Sequence, residues 1–202
     1  MKLSFFCYLT ILKFSLADSV TIKCRYYLDY NNFYACNVMN AEVFTGDRVS
    51  IEKAEGQHLE GKTNDDVESF WIFDASNLKF FPSNINNIFK NLINIRIMFT
   101  NIAEITSENL KVFPELKFLH FFRNQIEVIK EDTFKFNPKL EEIYMDNNKI
   151  SHIDPKSFSE LKSLEVLDLS GNVCSLRWAE NRDQVLEMVK KIEEGFCLSK
   201  KF

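Results

Sequence analysis

The sequence predicts an α/β solenoid, a right-handed horseshoe with a parallel β-sheet along its concave side and a disulfide-stapled cap at each end. Three observations predict it. The first is a period. Apolar residues recur as Leu164-x-x-Leu167-x-Leu169-x-x-Asn172, 24 residues earlier as Leu140-x-x-Ile143-x-Met145-x-x-Asn148, and again as Leu116-x-x-Leu119-x-Phe121-x-x-Asn124 and Leu92-x-x-Ile95-x-Ile97-x-x-Thr100. A degenerate copy begins 25 residues before that, Val67-x-x-Phe70-x-Ile72-x-x-Ala75. The second is that the other half of each unit repeats: Ile102, Ile105 and Leu110 match Ile126, Ile129 and Phe134, then Ile150, Ile153 and Phe158. One such unit cannot bury its own apolar face, so stacked units share a core. The third is a pair of cysteines at either end of the array.

The chain opens on Lys2, an apolar run over residues 3–12 and the small-x-small triplet Ser15-Leu16-Ala17, which read as a signal peptide over 1–17 and predict secretion. The run is too short to span a bilayer, and no later segment is apolar enough. Residues 18–66 read as an N-terminal cap, with a strand where Asp47-Arg-Val-Ser-Ile-Glu-Lys alternates. Residues 67–173 hold about five repeats. In each, the fourth to sixth positions form a short strand, and the ninth-position Asn turns the chain while its amide bonds otherwise unpaired backbone groups. Thr100 does part of this and Ala75 cannot, so the first unit is expected to be irregular. Residues 174–202 read as a helical C-terminal cap. Trp178, Val185, Met188, Val189, Ile192 and Phe196 lie at helical spacing, with charges opposite and Gly195 as the stop.

Loss of the leader removes Cys7 and leaves Cys24, Cys36, Cys174 and Cys197, which allow three connectivities. Position favours Cys24 with Cys36 and Cys174 with Cys197, because each pair flanks one end of the array, where caps must cover the last apolar layer. Loss of Lys2 and Lys13 takes 25 basic residues to 23 against 29 acidic ones, a net charge of −6. That balance disfavours nucleic acid and anionic membrane as partners.

Residues 56–63, Gly56-Gln-His-Leu-Glu-Gly61-Lys62-Thr63, match the phosphate-binding loop G-x-x-x-x-G-K-[ST] letter for letter. Such a loop follows a buried strand and opens a long helix. Here Asn64-Asp65-Asp66 and the first repeat strand come next, so the segment reads as a turn in the cap, and nucleotide chemistry is only a remote alternative. His58, His120 and His152 are isolated, and neither metal-ligand spacing nor a nucleophile elbow occurs. No cofactor, metal or catalytic residue is expected.

Binding chemistry is expected on the concave face. The third, fifth and seventh positions of each repeat point away from the core. They bring together Trp71, Phe73, Arg96, Met98, Phe118, His120, Phe122 and Tyr144 toward the N-terminal and middle part, and Glu142, Asp146 and Asp168 toward the C-terminal part. Aromatics, Met and Arg are the types enriched at interface hot spots. The competing reading is that the N-cap loop folds over these side chains.

Cys24 and Cys36, the run from Gly56 to Lys62, Asp65-Asp66-Val67, Phe134-Lys-Phe-Asn-Pro-Lys-Leu140 and Gly171-Asn-Val-Cys174 together resemble the secreted leucine-rich repeat proteins of dipteran insects. The resemblance implies extracellular recognition, in innate immunity or in adhesion. Cys174-Ser-Leu-Arg-Trp178 lacks the second cysteine of the usual C-x-C cap, which supports a single staple to Cys197. The long helical tails through which some immune members assemble are missing, so that role does not carry over. The expected function is a secreted, non-catalytic module that holds a protein partner on the concave face. The alternatives are a binder of an apolar small ligand on that face and a matrix or adhesion component.

Overall fold

The computed structural model describes residues 17–46 and 48–198, so residues 1–16 of the expected leader lie outside it. The chain forms β1 (Asp18–Leu28), β2 (Tyr34–Val38), β3 (Val49–Glu55), β4 (Ser69–Phe73), α1 (Ile85–Ile88), β5 (Asn94–Met98), α2 (Ser107–Leu110) and β6 (Phe118–His120). It continues with β7 (Val128–Ile129), β8 (Glu142–Tyr144), β9 (His152–Ile153), β10 (Val166–Asp168), β11 (Trp178–Ala179) and α3 (Arg182–Glu193). Nine strands make one sheet in the order β11-β10-β8-β6-β5-β4-β2-β1-β3.

The five repeat strands β4, β5, β6, β8 and β10 are parallel, and equal repeat positions sit opposite one another. Phe70, Ile95, Leu119, Ile143 and Leu167 form one row across the sheet, and all five are buried. Period-2 alternation drives this register, since a one-residue slip would turn the whole apolar set outward. The convex residues Ile102, Ile105, Leu110, Ile126, Ile129, Phe134, Ile150, Ile153 and Phe158 are buried too, with the Phe134 and Phe158 rings stacked at 5.4 Å. One continuous core runs from the first cap to the last.

Two ladders hold the turns after the strands. At the ninth position the Asn148 amide donates to the carbonyls of Phe121 (2.8 Å) and Met145 (3.0 Å), and its oxygen accepts from Ile126 N–H (3.0 Å). Asn124 and Asn172 repeat this pattern one unit earlier and one later. The Thr100 hydroxyl donates to the Asn124 side-chain oxygen rather than to a backbone carbonyl, so it buttresses the next Asn instead of repeating its bonds. At the eighth position the backbone is left-handed in all five units: Asp74 (φ 57°), Phe99 (φ 55°), Arg123 (φ 52°), Asn147 (φ 54°) and Gly171 (φ 67°). Asp, Asn and Gly tolerate that region. Phe99 and Arg123 are held there against their own preference, at roughly 1–2 kcal/mol each.

At the N-terminal end, β1 and β2 form an antiparallel hairpin cross-linked by the Cys24 to Cys36 disulfide, with β3 parallel to β1 at the sheet edge. The loop-like residues 56–63 lead only into a three-residue 3-10 turn (Asn64–Asp66) capped by Thr63. Lys62 pairs with Asp66 at 3.3 Å rather than standing free for a phosphate. At the other end β11 pairs antiparallel with β10, and α3 buries Val185, Met188 and Ile192. Arg182 donates to the Leu164 carbonyl (2.7 Å), which ties α3 to the last repeat, and Cys174 is bonded to Cys197. Two expectations fail here. Trp178 is not on the helix but on β11, 54% exposed, because the chain first adds an edge strand; Phe196 lies beyond the Gly195 turn (φ 87°) and is also exposed. Among the described residues no helix is long and apolar enough to cross a membrane.

Candidate protein-binding face

The residues expected on the concave face fall into three neighbouring zones. The first is the fifth-position row. Trp71, Arg96, His120, Tyr144 and Asp168 are directly paired neighbours across five strands. Here the expectation of an open face needs correction. The turn joining β1 to β2 reaches back over the sheet. Its Tyr30 ring lies 6.2 Å from Trp71, Tyr27 lies 6.0 Å from Trp71, and Phe33 packs on Phe118 at 5.6 Å. Arg96 is therefore 5% exposed, its guanidinium held between Tyr30 and Trp71 at 4.8 Å from each ring, and His120 is 8% exposed against Tyr144. Trp71 and Phe118 are half-buried. The Trp71 indole N–H donates to Ser69 Oγ (2.6 Å).

Burial sets the titration behaviour of this row. His120 is pushed down to about 3, first by burial and then by the Arg96 charge, so it is neutral at physiological pH. Tyr144 is pushed up to about 12 by burial and by Glu142. Glu142 is itself raised by burial, with Arg96 opposing, and Asp146 is raised by burial.

The second zone is partly open. Phe73 is 47% exposed and packs at a tilt against Phe99 at 4.7 Å; Phe99 meets Phe122 edge-on at 5.0 Å, and both of these rings are half-buried. Arg123 lies 5.3 Å over both Phe99 and Phe122. Met98, in register with Phe73, is half-buried beside them. A surface depression of about 610 Å³ adjoins this ladder, lined by Met39, Glu42, Trp71, Phe73 and Asn77. The third zone is the acidic C-terminal part, where Glu142, Asp146 and Asp168 are partly exposed.

The sequence reading missed Phe99 and Arg123, because outward alternation stops at the seventh position. The signal was Asp74, Asn147 and Gly171 at the eighth, residue types that accept left-handed backbone. It also missed Tyr27, Tyr30 and Phe33. Asp29-Tyr-Asn-Asn32 is a turn signal, and the Asp29 carboxylate does accept from the amides of Asn31 (2.9 Å) and Phe33 (3.0 Å). Among the described residues no group of three or more His, Cys, Asp or Glu could hold a metal.

Residues 114–173 match the family described as leucine rich repeat, which spans the third to fifth units. No curated protein matches the chain. Similar solved structures include the Toll–Spatzle complex of Drosophila, at 14% identity and a TM-score of 0.49 over 65% of this chain and 21% of that one. Another is the TLR13–ssRNA13 complex, at 19% identity and 0.44 over 62% of this chain and 21% of that one. The chain thus spans about a fifth of the length of these structures. The repeat period, the parallel sheet and the matched residues make the fold a right-handed leucine-rich repeat horseshoe with disulfide-stapled caps.

Proposed function

We propose that this leucine-rich repeat horseshoe is a secreted, non-catalytic recognition module that captures a protein partner on its concave side, in the extracellular space. We also propose its division into a leader over 1–17, a cap over 18–66, repeats over 67–173 and a C-terminal cap over 174–202. The observation that carries the reading is the aromatic ladder of exposed Phe73 and half-buried Phe99 and Phe122 under the exposed Arg123. Contiguous aromatic surface on a folded protein marks a partner site, and aromatic and Arg side chains supply most interface energy. Phe33 occupies the space against Phe118, which favours a protein over an apolar small ligand at that position. Net negative charge favours a protein over nucleic acid.

The test is capture from extracellular fluid by the immobilised mature chain, beside a Phe99→Ser/Phe122→Ser variant and a convex control, Lys130→Ala/Lys156→Ala. A partner retained by the wild type and the control, and lost with the double Ser variant, supports the reading. Equal capture by all three contradicts it.

A further inference from the structure

Beneath the turn of residues 28–33, three side chains hold polar atoms that no protein group satisfies. Asn94 is 0% exposed with both amide atoms unpaired, Arg96 has an unpaired Nε, and His120 has an unpaired Nε2. They sit on neighbouring strands: Arg96 pairs with His120, and Asn94 is two residues from Arg96 on β5. Each buried unpaired group of this kind ordinarily destabilises a fold, and a buried cation without a counter-ion does so most. Among the described residues no carboxylate forms an ion pair with Arg96. Of the nearby carboxylates, Asp29 Oδ1 accepts from the turn amides while its Oδ2 is unpaired, and Glu142 feels the Arg96 charge without forming an ion pair to it.

We infer that Asn94, Arg96 and His120 form a carboxylate subsite, which receives an Asp or Glu side chain from an extended segment of the protein partner. A carboxylate supplies the acceptors that the guanidinium and an imidazole N–H lack, and Arg prefers this planar partner. The inference rests on the proposed protein-binding function and adds the chemistry of the partner. The rest of the row fixes a second feature. Asp168 lies three strands from Arg96, with Asp146 beside it, and neither forms an ion pair among the described residues. Strands about 4.8 Å apart put the two ends about 14 Å from each other, a span of about four extended residues. The segment therefore carries its acid at Arg96 and a Lys or Arg about four residues away, over Asp146 and Asp168. Tyr30 covers Arg96 yet is 70% exposed, and the base of its hairpin is pinned by Cys24 and Cys36. Entry of the acid needs only the turn to lift.

The test uses the mature chain in a Trp178→Phe background, where Trp71 is the remaining tryptophan and reports on the adjoining guanidinium. Sodium acetate is titrated against sodium chloride at constant ionic strength. The expected result is a saturable change in Trp71 emission with acetate, lost in Arg96→Met with an unchanged circular dichroism spectrum. No saturable change, or the same change in Arg96→Met, overturns the subsite. If Arg96→Met does not fold, Tyr30→Ala carries the test: uncovering Arg96 lowers the acetate midpoint several-fold, and an unchanged or raised midpoint overturns the proposal. A blocked peptide with Glu and Lys four residues apart should bind at least tenfold more tightly than acetate or a peptide with the two adjacent. Binding no tighter than acetate overturns the side-chain assignment. Partner capture that Phe99→Ser/Phe122→Ser abolishes and Arg96→Met leaves unchanged would overturn the subsite alone and leave the protein-binding function standing.

Discussion

Acidification from pH 7 to pH 5 should destabilise the fold, and His120 supplies a defined part of the loss. His120 is 8% exposed, stacked on Tyr144 at 4.5 Å, with Arg96 as its neighbour. Its folded value is pushed down to about 3 from the usual 6.5, by burial first and by the Arg96 charge second. The sign follows from proton counting. Between those values the unfolded chain holds a proton that the folded chain does not, so stability rises with pH across that window and falls on acidification. At pH 5 the deficit spans about 1.5 pH units, or about 2 kcal/mol; at pH 3, where the folded group is half-protonated, it is about 4 kcal/mol. His120→Phe keeps the ring on Tyr144 and removes the titration. Urea denaturation of both proteins at pH 7 and pH 5 isolates the term, because His58 and the carboxylates are common to both. The wild type should lose about 2 kcal/mol more than the variant over that interval. Equal losses would refute the burial of a neutral His120, and with it the placement of the turn over the sheet.

Asn148→Ala leaves the Phe121 and Met145 carbonyls and the Ile126 amide without their partner, and thermal or urea denaturation should show a loss of about 3 kcal/mol. Gly171→Ala meets both a left-handed backbone and the Asn147 side chain, 2.8 Å from the added carbon, and should cost about 1–2 kcal/mol by the same assay. Cys174→Ser should cost about 2–5 kcal/mol in a non-reducing melt, with the difference from wild type vanishing under reductant. Trp71→Ala should raise hydrogen exchange in residues 28–33 while leaving β8 and β10 protected, because Trp71 is the platform for Tyr27 and Tyr30.

The solenoid is legible because its pattern is written several times over: Leu119, Ile143 and Leu167 occupy equal positions, and stacking follows from burying them together. The C-terminal helix and both disulfides are legible for related reasons, a 3.6-residue stripe and cysteines at the array ends. The state of the concave face is not. Asp29-Tyr-Asn-Asn32 marks a turn, but nothing local says that it folds over Arg96 and His120 rather than away. That choice is made by Phe33 against Phe118 and by Tyr30 against Arg96, contacts between residues 66 or more apart. The left-handed Phe99 is hidden for the opposite reason, since the turn shared by all five units overrides a local preference. Trp178 follows the helical stripe in sequence yet lies in an edge strand, because closing the sheet after β10 takes precedence over extending α3.

The most direct test of a concave binding face is site-specific photo-crosslinking, with a benzophenone amino acid placed singly at Phe122 and at Val128, an exposed residue of the convex strand β7. The account predicts one partner-dependent adduct from position 122 and none from position 128. Adducts from position 128 alone would move recognition to the convex side and contradict it.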